Sequence, residues 1–71
     1  MQRYLILIES TATGFSAYSP DLPGCAATAA TMAEVERAMR DAIELHVEAL
    51  REAGHPVPAN STCAAYVEVA A

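Results

Sequence analysis

Apolar and polar positions alternate along the chain in blocks of different period, and each block predicts one element. RYLILIE, Arg3 to Glu9, is a β-branched and aliphatic run of strand length. Side chains alternate across a strand, so Tyr4, Ile6 and Ile8 share one face and Leu5 and Leu7 the other, and both faces are apolar. STATG, Ser10 to Gly14, is small and polar and suits a hairpin loop. FSAYS, Phe15 to Ser19, alternates again and predicts the returning strand. Pro20, Pro23 and Gly24 then force a turn, because the prolines fix φ and remove donors while glycine tolerates positive φ. CAATAA, Cys25 to Ala30, would suit a helix by alanine content. Thr31 with Glu34 fits a capping box, however, so the helix starts there and the alanines form a short strand before it.

From Met32 to Ala53 the apolar spacing is helical. Met32, Val35, Met39, Ala42, Ile43, His46, Ala49, Leu50 and Ala53 fall on one side, with Leu45 and Val47 at its edges and the charged residues on the rest. Gly54 fits the C-terminal stop, and Pro56 and Pro58 keep the following segment extended. CAAYVEVA, Cys63 to Ala70, predicts a last strand. The expected fold is α+β with order β-β-β-α-β, in which one helix covers one face of a small antiparallel sheet. The other apolar face needs a second covering, from another copy or a different protein.

Length sharpens that need. A chain of 71 residues makes one domain spanning 1–71 and buries only roughly 60% of its unfolded surface, so support by oligomerisation, as a dimer or tetramer, is expected. Two cysteines are too few for a disulfide framework, and the N-terminal apolar run is too short for a signal peptide or a membrane span. A cytoplasmic location with reduced thiols is expected. Nine acidic residues face four arginines and no lysine, for a formal charge of -5. That balance argues against gripping nucleic acid directly and favours a basic protein partner.

Candidate chemistry is sparse. Glu9, Asp21 and Glu68 are the acids near strands or turns, and a two-metal nuclease site would need them to converge. Asp21 suits a hydrogen bond to the backbone of its own turn instead. His46 on the apolar helix face has no ligand-type residue at i,i+4 and reads as a packed neutral histidine or an interface residue. His55 reads as solvated, and Cys25 and Cys63 as small buried hydrophobes. No cofactor or metal is expected, and no catalytic residue.

The segment YSPDLPGCAATAATMAEVERAMRDAIELHVEALREAGHPVPANS resembles the HicB family of antitoxins. The resemblance rests on a tyrosine before a P-D-L-P-G-C turn, a helix with an AIEL…EAL pattern, and a glycine and proline pair that closes it. It implies a truncated ribonuclease H-like domain that is not an enzyme. It also implies a partner: a small basic HicA-like toxin that cleaves messenger RNA and is neutralised by protein-protein contact. Many family members carry a C-terminal DNA-binding domain, which is not expected here. Partner-binding candidates are Asp21, Glu44 and Glu48, whose charge suits a basic partner. Self-association candidates are Leu5 and Leu7, or Tyr4 and Ile6 on the opposite face. The alternatives are an orphan homo-oligomeric module without a toxin, and a vestigial ribonuclease H-like nuclease.

Overall fold

The structure is a computed structural model that describes residues 2–71. Strands β1 (Leu7–Thr11), β2 (Gly14–Tyr18) and β3 (Ala26–Ala29) precede one helix, α1 (Met32–Glu52). The strands form an antiparallel sheet in the order β1-β2-β3. Helix α1 packs on β2 and β3, so the domain is α+β with the helix on one face.

Register explains which residues meet the helix. Ile8, Ala17 and Ala27 lie in one row across the sheet, and Ser10, Phe15 and Ala29 in the next on the same face. Against them pack Val35, Met39, Ala42, Ile43 and Val47, spaced by three or four residues as one helix stripe requires. Val47 therefore belongs to the contact stripe rather than its edge. Ala49 and Ala53 are exposed, and His46 is half-buried. The alanines of β3 have a clear role: short side chains let the helix approach the sheet closely. Gly14 serves a different close approach, between the start of β2 and the end of β3, since a methyl group there would collide with the Ala29 carbonyl and lie 2.9 Å from the Ala30 Cα.

The proline turn does more than reverse the chain. Backbone bonds close it: Ser19 N–H donates to the Cys25 carbonyl at 3.2 Å, Leu22 N–H to Ser19 at 3.2 Å, and Cys25 N–H to Leu22 at 3.1 Å. Gly24 takes φ of 84° to complete it. The result drives Leu22 into the core, where it is fully buried with Val35 and Met39, beside Cys25 and Ala17.

Both helix ends follow the sequence. Thr31 Oγ1 accepts from Glu34 N–H at 3.2 Å and donates to the Glu34 carboxylate at 2.9 Å. At the other end Ala53 is the cap, Gly54 has φ of 74°, and Gly54 and His55 N–H groups reach the Arg51 and Leu50 carbonyls, a Schellman arrangement.

Two boundaries differ from expectation. β1 begins at Leu7 rather than Arg3 because its partner β2 stops at Tyr18, ahead of Pro20, which cannot donate to a ladder. It continues to Thr11, so the hairpin loop shrinks to Ala12 and Thr13. The larger correction concerns Cys63 to Ala70, which does not form a fourth strand within the chain. Tyr66, Val67 and Val69 are 104%, 82% and 77% exposed. The pattern of a strand is present there, but strand structure needs a neighbouring ladder, and none is beside it.

Candidate protein-interaction site

Three sets of hydrogen bonds fasten residues 58–62 across the end of the sheet. Tyr4 donates its hydroxyl to the Pro58 carbonyl at 2.6 Å and lies 2.8 Å from the Gln2 side-chain oxygen. Leu5 N–H donates to Asn60 Oδ1 at 3.1 Å. Asp21 completes the fastening: Oδ2 accepts from the Ser61 and Thr62 backbone N–H groups, each at 3.1 Å. Its Oδ1 accepts from the Ser61 and Thr62 hydroxyls at 3.1 and 2.8 Å. The Thr62 hydroxyl, with the other three donors, holds the Asp21 carboxyl below its ordinary value of 3.8 against a smaller opposing effect of desolvation. Asp21 thus does not bond its own turn. The backbone already closes that turn, which leaves the carboxylate free to reach residues 40 positions away.

The acidic helix positions lie elsewhere. Glu44 and Glu48 are exposed, one turn apart, and line a shallow groove with Gln2, Tyr4, Val47 and Arg51. Tyr4 links the two features, since it lines this groove while its hydroxyl holds Pro58. Asp21 is not part of the groove, so the three acidic candidates do not form one patch.

The self-association candidates divide by face. Tyr4 and Ile6 pack against the core beneath the helix, whereas Leu7 lies in a row with Tyr18 and Ala26 on the face that the helix leaves open. The next row on that face is Glu9, Ser16 and Thr28, which lines a second shallow depression together with Tyr18 and Ala26. An apolar row beside a polar one describes a contact surface rather than a cleft that could enclose a substrate.

Among the described residues no three His, Cys, Asp or Glu side chains come together as a metal site would require, and no helix is long and apolar enough to cross a membrane. Cys25 is a free thiol inside the core, and burial pushes its pKa up. Cys63 is free and exposed, contrary to the expectation that both cysteines are buried, because the strand that would have carried it into the sheet is not formed. Sequence reasoning missed Asn60, Ser61 and Thr62 as anchoring residues. The prolines before them identified an extended segment but not the distant carboxylate and amide that these residues meet.

The fold and its surfaces define a small α+β binding domain: a packed layer of sheet and helix, an open sheet face, and an acidic helix. Its sequence matches the family described as HicB_like antitoxin of bacterial toxin-antitoxin system over residues 4–70. The chain belongs to the HicB-like antitoxin family. Among solved structures it is similar to a chain of a "HicA3 and HicB3 toxin-antitoxin complex", at 35% identity and a TM-score of 0.71, covering 84% of this chain and 70% of that one. No curated protein sequence matches the chain significantly.

Proposed function

We propose that this chain is the antitoxin of a type II toxin-antitoxin system, which binds a small basic HicA-like toxin and neutralises it by protein-protein contact without catalysis of its own. The observation that carries the proposal is the likeness to a chain of a solved toxin-antitoxin complex at 35% identity, joined to family membership over residues 4–70. A formal charge of -5 supports a basic partner. Attraction between opposite charges speeds encounter and disfavours wrong partners. The binding surface includes Glu44 and Glu48 on the helix groove, with Asp21 outside that groove at the anchor of residues 61 and 62. The protein works in the bacterial cytoplasm, as does the messenger RNA that its toxin would cleave.

The chain acts as a homo-dimer or tetramer. Supporting this is the open sheet face, where Leu7, Tyr18 and Ala26 form an apolar row without a covering layer. The same observation favours a second reading, a homo-oligomeric module without a toxin, because an open face needs only another copy.

Co-expression with a HicA-like toxin separates the two. Growth restored in cells that the toxin alone arrests, with both proteins recovered in one complex, is the expected result. Failure to restore growth, with no complex formed, leaves the homo-oligomeric module. Within the antitoxin reading, alanine at Asp21, Glu44 and Glu48 together slows association; unchanged association kinetics would remove those residues from the binding surface.

A further inference from the structure

We propose that residues 63–70 are an exchanged strand, which pairs with the free edge of β1 in a second copy while that copy returns its own residues 63–70 to the first. The inference rests on the assembly reading above and names the element that performs it.

The segment has the chemistry of a strand with a buried face. Cys63, Ala65, Val67 and Val69 alternate with Ala64, Tyr66, Glu68 and Ala70, so one side is wholly apolar and the other carries a tyrosine and one charge. β1 has the same character: Ile8 faces the helix, with Ile6 just before the strand, while Leu7 and Glu9 face outward. A strand laid along β1 would continue the covered layer with Val67 and Val69 and set Tyr66 on the open face. Conversely, among the described residues β1 pairs only with β2, and its outer edge carries backbone donors and acceptors with no strand beside them. Free strand and free edge occur in one chain but do not meet there.

The anchor explains why. Pro58, Asn60, Ser61 and Thr62 are tied to Tyr4, Leu5 and Asp21, and from Thr62 onward the chain departs from its own sheet. The molecule is consequently extended, 48 × 27 × 20 Å, with a radius of gyration of 13.9 Å where a compact chain of 71 residues has about 11 Å. Its surface is 5539 Å², whereas a folded chain of 7.5 kDa exposes about 4,200 Å². The excess is about 1,300 Å² per chain, and two chains that remove it reach the size of an obligate homodimer interface. Exchange about a two-fold axis uses each arm and each edge once and leaves neither over. A second copy also fits the arm better than a basic toxin does. Eight residues with a single charge suit an apolar interface between identical chains, and the acidic attraction for a toxin lies on the helix.

The test compares the full chain with Val67→Pro, which removes a ladder donor in a segment that is exposed in its own domain. Light scattering should give a mass twice that of one chain, or four times if dimers pair, and the variant should fall at least twofold with an unchanged far-ultraviolet spectrum. Hydrogen exchange on the unmodified chain should find the amides of residues 64–70 protected, with protection lost as the protein is diluted to monomer. A variant that keeps the full mass overturns the exchange and leaves the assembly reading intact. A monomeric chain with protected arm amides overturns both, because the arm then closes on its own sheet. Protection that arises only when a HicA-like toxin is added makes the arm a toxin-binding strand and overturns the exchange, with the antitoxin reading unharmed. If the variant precipitates, the dilution dependence of exchange in the unmodified chain decides.

Discussion

Leu22→Ala tests whether the proline turn is a packing element. Leu22 is one of the few fully buried side chains, so its loss falls on a small core. Three carbons leave, each contributing about 0.8 kcal/mol in transfer free energy, for about 2.4 kcal/mol. The cavity left behind raises the loss to roughly 3–4 kcal/mol, since Val35 and Met39 are held by the helix and cannot fully collapse onto it. A domain of 71 residues has a total stability of roughly 4–10 kcal/mol, so the variant loses a third or more of what it has. The assay is urea unfolding followed by circular dichroism at equal protein concentration, because an assembling protein has a concentration-dependent midpoint. With a slope of about 1 kcal/mol per molar urea, the midpoint should fall by roughly 3 M. Leu45→Ala is the control: at 67% exposure its change should stay within about 0.5 kcal/mol. A loss under about 1 kcal/mol at Leu22 would refute the argument that the turn exists to seat this side chain.

Three further outcomes are expected. Gly14→Ala destabilises by about 1–3 kcal/mol through collision with the Ala29 and Ala30 backbone, added to a positive φ of 158° that L side chains rarely adopt; a neutral unfolding midpoint would contradict the close approach. Ser19→Ala leaves stability unchanged or raises it by about 1 kcal/mol, because the Ser19 hydroxyl is buried with no hydrogen-bond partner; a clear loss in melting temperature would count against this. Asp21→Asn changes the acid limb of the stability profile. The folded Asp21 pKa lies below the ordinary 3.8, so its contribution is complete above that value and is lost as pH falls through the folded pKa. The variant should lack this loss and should expose the Ser61 and Thr62 amides to faster exchange at neutral pH; identical acid limbs would refute the anchor.

Much of the fold was legible because its signals are local. Thr31 with Glu34, and Gly54 with the following proline, fixed the helix ends to within a residue, since capping depends only on side chains within one turn. The short alanine strand followed from that boundary. Where β1 begins was not legible, because it depends on where β2 can still pair, and Pro20 sits in a different part of the chain. The last strand failed for a related reason. Alternation in CAAYVEVA reports what a side of the segment would face, not whether a ladder lies beside it in the same molecule. Asp21 was legible as a hydrogen-bonding residue of a turn, but its partners 40 residues away were not.

These failures share a location. The proline turn seats Leu22 and Cys25 in the core and places Asp21 where it meets Ser61 and Thr62, so one short segment sets both the packing of the sheet and the direction in which the chain leaves it. Residues of this turn therefore act on binding through the position of the arm and the integrity of the domain. Glu44 and Glu48 are different, being exposed on the helix surface and outside the hydrophobic core. Double substitution to glutamine at these two positions should leave the free energy of unfolding in urea within about 0.5 kcal/mol of the unmodified chain. The rate of association with a basic toxin should fall, and the fall should shrink as salt is added, because screening already removes the attraction at high ionic strength. Equal loss of rate at low and high salt would mean that the two glutamates act by contact rather than by charge, and the acidic balance of the chain would then need another explanation.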